Sequence, residues 1–344
     1  MKKSYPMAMV NTPGKIDFEE QILKEPSADQ VLIKTRAVSI CGSDLHTFKG
    51  EHPFAHLPAA LGHELSGEVV AVGGAVRRLK VGDRVALEPI IPCGQCVFCQ
   101  KGTYNLCVNL SFHHRQGQGA FTPFFVVDEK WLHKLPKSVS FEESALLEPL
   151  AVAVHAVQKA PITLGSTVAI FGAGAVGLMV LVLSRLAGAG ETFAMDVQEF
   201  RLMAAREMGA SFALANQGKK TVEDILHMAD GLGVDVAFEV AGKQMTVVQS
   251  LQVLRKGGHA ILVGLNPEPE ITVPSNIFVQ KEISLSGSQG YCWDFQTALT
   301  LVEGGSIDLS RFISHRISFD SLQEGFDLLT RPGGRANKVV VLFE

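Results

Sequence analysis

The stretch "TVAIFGAGAVG", residues 167–177, decides the fold of this 344-residue chain. It places Gly172, Gly174 and Gly177 directly after an apolar strand and at the start of an apolar helix. In such a turn the first glycine allows the tight bend, the second lets a pyrophosphate approach the backbone, and the third lets helix and strand pack closely. The free N–H groups at the start of the helix favour phosphate. The stretch therefore predicts a dinucleotide-binding βαβ unit.

The next predicted strand, "TFAMD", ends in a carboxylate that bears on the choice of dinucleotide. Asp196 stands where an acid accepts hydrogen bonds from the adenosine ribose hydroxyls, and it would repel a 2′-phosphate. NAD is therefore favoured over NADP. Arg201 is an alternative phosphate contact, but one arginine five residues after the acid does not reverse this preference. The predicted cofactor-binding residues are Gly172, Gly174, Gly177, Asp196, Arg201, Gly264 and Ser288.

The pattern of predicted strands and helices changes near residue 150. Before it, short β-type runs such as "GEVVAVG" and "DRVALEP" are separated by turn residues. After it, strands alternate with helix-length segments such as "AVGLMVLVLSRLAG" and "TVVQSLQVLRKGG", which is typical of a parallel sheet with helices on both faces. We predict an α/β protein with a β-rich domain at 1–150, completed by 290–344, and a doubly wound parallel-sheet cofactor domain at 151–289.

Composition and charge exclude several functional classes. A chain with 47% hydrophobic and 19% charged residues is neither disordered nor fibrous. A net charge of −4 and a pI near 6.3 give no basic surface for nucleic acid or an anionic membrane. The start "MKKSYPMAMVNTPG" is not typical of a signal peptide. We expect a cytoplasmic protein whose partner is a small molecule, neither nucleic acid nor membrane.

Four of the six cysteines lie in "PCGQCVFCQKGTYNLC", residues 92–107. In a reducing cytosol, clustered cysteines are metal ligands or redox groups more often than disulfides. Cys93, Cys96 and Cys99 match the start of an iron–sulfur motif, but Cys107 follows after seven residues rather than three and precedes no proline. Four thiolates fill every position of a tetrahedral zinc. The loop therefore predicts a closed, structural zinc site.

A second set of metal-ligating residues is more dispersed. "VSICGSDLHTF" and "ALGHELSGEVV" contain Cys41, His63 and Glu64, and "LLEPLAVAVHA" contains Glu148. Thiolate, imidazole and carboxylate all bind zinc, and a catalytic zinc keeps one position open. Taken singly, Cys41 also suits a buried apolar position, and His63 and Glu64 suit an ordinary turn. Spacing alone leaves both interpretations open.

The chain resembles the zinc-dependent medium-chain alcohol dehydrogenases from end to end. The similarity is carried by "CGSDLH", "GHE", the cysteine loop, "VGDRVALEP", "EPLAVAVHA" and the glycine turn. The pattern with Glu64 and Glu148 is most similar to the polyol (sorbitol) and threonine dehydrogenase branch. The resemblance implies a GroES-like catalytic domain, a Rossmann domain, two zinc ions per chain, NAD, and a homo-oligomer, either tetramer or dimer.

The resemblance also implies roles for individual residues. Ser43 would take the alcohol proton, and the cofactor ribose and His46 would pass it to solvent; histidine suits this last step because its pKa lies near working pH. Asp44 would orient a ligand histidine. The implied ligands of the catalytic zinc are Cys41, His63, Glu64 and Glu148, and those of the structural zinc are Cys93, Cys96, Cys99 and Cys107.

The expected activity is oxidation of a secondary alcohol of a polyol, sugar acid or related hydroxy compound to a ketone by hydride transfer. Alternatives are a threonine-type or short-diol (butanediol-like) dehydrogenase, or a catalytically silent NAD-binding sensor. Gly290 stands where this branch carries an arginine that positions polyols, so sorbitol itself is not the favoured substrate. His113, His114 and Arg115, in "FHHRQGQGAF", are either contacts for an anionic sugar acid or a solvated loop, and the loop is favoured.

Overall fold

The computed structural model describes residues 4–268, 270–331 and 333–344. The chain divides into two compact units, Met1–Pro149 with Phe295–Glu344 and Leu150–Asp294. The sequence analysis places the corresponding boundaries at 150 and 290. Among the described residues, no helix has the length and apolar character that crossing a membrane requires.

Strands and helices are numbered in chain order over the described residues. The strands are β1 (Ser4–Thr12), β2 (Lys15–Ile22), β3 (Gln30–Ser39), β4 (Ala59–Ala60), β5 (Glu64–Val72), β6 (Arg84–Leu87), β7 (Ile90–Ile91), β8 (Ser111–Phe112), β9 (Phe124–Asp128), β10 (Leu132–Lys134), β11 (Thr167–Phe171), β12 (Glu191–Asp196), β13 (Phe212–Ala215), β14 (Val234–Glu239), β15 (Leu254–Leu262), β16 (Ser284–Gly287), β17 (His315–Ser318) and β18 (Val339–Leu342). The α-helices are α1 (Gly42–Lys49), α2 (Val97–Gln100), α3 (Phe141–Ala145), α4 (Leu147–Gln158), α5 (Ala175–Leu186), α6 (Glu199–Glu207), α7 (Lys219–Met228), α8 (Gln244–Gln252), α9 (Asn276–Lys281), α10 (Asp294–Glu303) and α11 (Leu322–Thr330).

The first unit is built on a seven-stranded sheet with the path β10-β6-β5-β3-β18-β17, in which β9 also pairs with β3. β3 and β5 are antiparallel, and their register pairs Ser39 with Glu64. β18 returns from the end of the chain to the other side of β3, where Val340 pairs with Ser39. The apolar side chains of these strands, including Ile33 and Val341, form one buried core. This sheet thus brings the end of β3, the start of β5 and the tail strand side by side.

The second unit has a six-stranded parallel sheet in the order β13-β12-β11-β14-β15-β16. This is the doubly wound order in which ligands bind at the carboxyl ends of the strands, where the strand order reverses. The reversal lies between β11 and β14, and the glycine turn directly follows β11. The predicted class, a β-rich domain joined to a doubly wound parallel sheet, is confirmed.

One predicted helix ends earlier than its segment. "TVVQSLQVLRKGG" is helical only as far as Gln252, and β15 begins at Leu254. Leu254 is fully buried and pairs with Val234 of β14, so burial against the sheet decides its conformation. Gly257 has φ +74°, in the left-handed region, which an α-helix does not accommodate.

Candidate metal and cofactor sites

Three side chains of different chemistry meet beside β3 and β5. The ligand atoms of Cys41, His63 and Glu64 all lie within 4.8 Å of one another. Cys41 follows the end of β3, and Glu64 begins β5. The pairing of Ser39 with Glu64 therefore brings residues that are distant in sequence to one point.

The backbone before His63 requires a glycine. Gly62 has φ +87°, and a Cβ there would lie 2.7 Å from the Phe121 ring. Asp44, in the first turn of α1, accepts hydrogen bonds from the N–H of Cys41 at 3.1 Å and of Gly62 at 3.0 Å. Its Oδ1 also lies 3.5 Å from His63 Nδ1. One buried carboxylate thus holds the backbone at two of the three ligand positions.

Glu64 has one anchored and one free carboxylate oxygen. The side chain is 0% exposed, and its Oε2 accepts hydrogen bonds from Ser39 Oγ and from Lys338 Nζ, the latter at 2.5 Å. Within the described part of the chain, Glu64 Oε1 is buried without a hydrogen-bond partner, whereas His63 Nδ1 faces Asp44 Oδ1. A buried polar atom is costly when it is unpaired, and Glu64 Oε1 lies beside a thiol and an imidazole. The donor set fits a zinc ion, which accepts S, N and O ligands.

The other predicted residues of this site lie outside the three-donor group. Glu148, in the first turn of α4, is 7% exposed and its charge acts on Lys338, but it does not belong to the group of ligand atoms within 4.8 Å. Its role as a metal ligand stays a prediction. Ser43 and His46 are half-buried in α1, three residues apart and so on one helix face.

The four clustered cysteines also converge. Their sulfur atoms lie within 4.8 Å of one another, with Cys96 to Cys99 at 3.5 Å and Cys93 to Cys99 at 4.0 Å. A tetrahedron with Zn–S bonds of about 2.3 Å has edges of about 3.8 Å. Cys107 Sγ accepts hydrogen bonds from the N–H of Cys93 and of Asn109, as thiolate ligands do. All four are free thiols, so this group fits a tetrahedral zinc and not a disulfide pair.

The glycine turn distinguishes two kinds of close approach. A Cβ on Gly177 would lie 1.8 Å from the carbonyl oxygen of Gly172, so this glycine serves the packing of α5 on β11. A Cβ on Gly174 would meet nothing within 4 Å. Because no protein atom requires a glycine there, the open side at the start of α5 fits a pyrophosphate approaching the backbone.

The acid of the cofactor site lies at the edge of the same turn. Asp196 Oδ2 accepts a hydrogen bond from the N–H of Ala173 at 2.9 Å, and Oδ1 accepts one from Gln198 at 3.0 Å. Arg201 Nη1 lies 3.5 Å from Asp196 Oδ2. Arg201 Nε is buried without a hydrogen-bond partner among the described residues. The Asp196 carboxylate and the Arg201 guanidinium therefore lie side by side where an adenosine ribose would bind.

Two further predicted residues follow later strands of this sheet. A Cβ on Gly264 would lie 2.5 Å from the backbone nitrogen of Gly242, so this glycine allows two loops to pack. Ser288 follows β16 and donates its N–H to Leu262 at 2.8 Å. Its Oγ is buried without a hydrogen-bond partner in the described chain, which leaves it available to a ligand. Both residues lie at the carboxyl ends of the parallel strands.

Comparison with known proteins places the chain in a family. Residues 27–137 match the alcohol dehydrogenase GroES-like domain, and residues 175–304 match the zinc-binding dehydrogenase family. Sorbitol dehydrogenase of Bacillus subtilis (strain 168) is 34% identical over 338 residues, which are 97% of this chain and 96% of that protein. The chain belongs to the zinc-dependent medium-chain alcohol dehydrogenases. The predicted family, its polyol dehydrogenase branch and its GroES-like and Rossmann domains are thereby confirmed.

Solved structures of this dehydrogenase family match over the whole length. A Sinorhizobium meliloti 1021 protein, described as a zinc-binding dehydrogenase and bound to NADP, has a TM-score of 0.92 and 33% identity over 99% of this chain and 100% of its own. 2R,3R-butanediol dehydrogenase from Bacillus subtilis has a TM-score of 0.88 and 33% identity over the same shares. These matches support an oxidoreductase that acts on CH–OH groups, as the sequence predicts.

Sequence analysis of this dehydrogenase missed Lys338. Its side chain is 3% exposed, and Nζ also donates to the carbonyl oxygen of Ile40 at 3.0 Å. Burial lowers the pKa of Lys338, and the charges of Glu64 and Cys41 outweigh burial and raise it. The available signal was a lysine directly before the apolar run of β18, "NKVVVLF", because a strand buried on both sides rarely begins with an unpaired charge.

Proposed function

We propose that this dehydrogenase oxidises a secondary alcohol of a polyol, sugar acid or related hydroxy compound to a ketone, with NAD as the hydride acceptor. The observation that carries the proposal is the group formed by Cys41, His63 and Glu64, in which Glu64 Oε1 is buried without a hydrogen-bond partner in the described chain. The similarity of the chain to sorbitol dehydrogenase supports a polyhydroxy substrate. Its similarity to butanediol dehydrogenase keeps a short diol as the second candidate.

In this proposal the chain binds a catalytic zinc through the three-donor group and a structural zinc through the cysteine loop. When bound, zinc and NAD would supply Lewis acidity toward a hydroxyl and a hydride acceptor. Ser43 receives the alcohol proton, and His46, on the same face of α1, delivers it to solvent. Asp44 holds the two ligand loops in place, and Glu148 is a further candidate ligand.

NAD is proposed over NADP because Asp196 presents a carboxylate at the glycine turn. Because the similar Sinorhizobium meliloti protein is bound to NADP, the preference for NAD requires a direct test. We expect kcat/KM with NAD to exceed that with NADP, and Asp196→Ala to lower the ratio by about 10-fold or more, since one charge-assisted contact is lost and one repulsion removed. A wild-type preference for NADP would refute the assignment.

The activity itself is tested with zinc-loaded protein and NAD, following NADH absorbance over polyols, sugar acids, short diols and hydroxy amino acids. We expect about two zinc ions per chain and turnover of at least one polyhydroxy compound. Ser43→Ala should keep both metals and lose turnover. Turnover of butanediol or threonine alone would select the corresponding alternative, and NADH binding without any turnover would indicate a sensor.

We further propose a cytoplasmic homo-oligomer, dimer or tetramer, which light scattering can assess.

A further inference from the structure

A pocket of about 260 Å³ opens in the first unit beside the three-donor group. Sites for drug-sized ligands span about 300–1,000 Å³, so this pocket suits a smaller molecule. Its described lining includes His56, His114 and Arg115 and contains no aspartate or glutamate. The formal charge on the pocket wall is therefore carried by an arginine and is not balanced by a lining carboxylate.

The pocket adjoins the candidate catalytic residues. The ring of His114, on its wall, lies 4.8 Å from the ring of His63, centroid to centroid. Thr47, on another wall, donates its hydroxyl to the carbonyl oxygen of Ser43 at 3.1 Å. Only the side chain of His114 thus separates a molecule in this pocket from His63, a proposed ligand of the metal. His114 Nδ1 is buried and has no hydrogen-bond partner among the described residues.

Arg115 is held in this pocket by aromatic rings. Its guanidinium carbon lies 5.0 Å from the centroid of Phe112 and 5.9 Å from that of Phe54, distances at which a cation is attracted to a ring face. Within the described residues its side chain forms no hydrogen bond or ion pair, and the residue is exposed. Partial desolvation lowers the pKa of Arg115, and its charge adds to burial in lowering the pKa of His52 to about 4.

Several other arginines among the described residues have acceptors. Arg84 donates to two backbone carbonyl groups, Arg206 pairs with Glu199, and Arg316 pairs with Glu142. Because Arg115 is exposed, water solvates its donors and leaves them accessible to an anion. Its planar fork of donors matches a carboxylate or a phosphate group in particular.

We propose that Arg115 binds the anionic end group of the substrate, so that the substrate class is a polyhydroxy compound with a terminal carboxylate or phosphate. This inference rests on the proposed dehydrogenase function. The two ring faces hold the guanidinium, and His114 offers a neighbouring polar atom for a hydroxyl of the same molecule. The hydroxyl to be oxidised then lies on the His114 side of the pocket, toward His63.

The test compares three compounds of one carbon skeleton: D-sorbitol, D-gluconate and D-sorbitol 6-phosphate. With zinc-loaded protein and NAD, wild type should oxidise one of the two anions with a higher kcat/KM than D-sorbitol. Arg115→Gln should lower the anion-to-sorbitol ratio of kcat/KM by about 10- to 100-fold, mainly through KM, and Arg115→Lys should restore part of it. The anion that responds identifies carboxylate or phosphate as the end group.

Arg206→Gln is the matched control, because this arginine belongs to the second unit and its ion pair is exposed. It should leave the ratio as in wild type. A wild-type preference for D-sorbitol, or an equal loss for all three compounds in Arg115→Gln, would overturn the proposal and leave the dehydrogenase function standing.

Calorimetric titration of D-gluconate and D-sorbitol 6-phosphate into the zinc-loaded protein separates the remaining cases. If no compound is oxidised but one anion binds with an Arg115-dependent affinity, the subsite is supported and the proposed function fails. If neither anion binds to wild type, the subsite is refuted.

Discussion

Replacing Gly177 with alanine tests the close packing at the glycine turn. The new Cβ would lie 1.8 Å from the oxygen and 2.9 Å from the carbon of the Gly172 carbonyl group. Both contacts are with backbone atoms, so no change of rotamer relieves them. Helix α5 and strand β11 must separate by about 1.2 Å to reach even 3.0 Å, a large shift in a close-packed interior.

The expected cost follows from that overlap. Overpacking costs about 1–3 kcal/mol, and a clash between backbone atoms belongs at the upper end; the entropy that alanine removes from the unfolded chain recovers under about 1 kcal/mol. The entropy of unfolding is about 2.1 cal/mol/K per residue, or about 0.7 kcal/mol/K for 344 residues, so a net loss of about 2–3 kcal/mol corresponds to a fall in Tm of about 3–4 °C. Differential scanning calorimetry of the zinc-loaded protein measures it. An unchanged Tm would refute the steric account.

Gly174→Ala is the matched control, because a Cβ there meets nothing within 4 Å and φ is −70°, ordinary for an L-residue. Loss of a glycine N-cap costs under about 1 kcal/mol, so Tm should change little. The methyl group occupies the open side of the turn, so the Kd for NADH should rise about 10-fold or more, or about 1.4 kcal/mol. Calorimetric titration with NADH measures this. An unchanged Kd for NADH would show that the pyrophosphate does not bind at this position.

Two further predictions concern the metal sites. Lys338→Met leaves the Glu64 carboxylate buried without its counter-ion, so the free energy of unfolding of EDTA-treated protein in urea should fall by about 3–5 kcal/mol. A second change, Glu64→Gln, should largely restore it. A loss under about 1 kcal/mol would contradict the importance of the ion pair. Cys96→Ser should lower zinc from about two to about one per chain and reduce Tm, measured by mass spectrometry and calorimetry, whereas Cys292→Ser, outside both groups, should retain both ions. A Cys96→Ser protein with two zinc ions would argue against the closed site.

Features whose residues are close in sequence could be predicted from the sequence. The glycine turn and the cysteine loop each contain their chemistry within a short segment, so spacing alone indicated a dinucleotide and a tetrahedral metal. The group of Cys41, His63 and Glu64 could not be derived in that way, because it depends on the register of β3 against β5. Only the resemblance to a family singled it out before the structure was considered.

What sequence analysis could not supply depends on contacts between distant parts of the chain. Lys338 contacts Ile40 and Glu64 only because β18 pairs with β3, and no local pattern encodes that pairing. Arg115 had the pattern of a solvated loop, and its position beside Phe112 and Phe54 became apparent only from the structure. The early start of β15 likewise follows from burial against β14 rather than from local propensity.

The ion pair between Glu64 and Lys338 has a consequence for biosynthesis. Lys338 and its other partner, Ile40, are 298 positions apart, and the entire second unit is translated between them. At about 5–20 residues per second, the roughly 190 residues from the end of the first segment to Lys338 take about 10–40 s to synthesise. During that time the nascent first segment holds Glu64 without its counter-ion. Formation of this buried ion pair is therefore a late, essentially post-translational event.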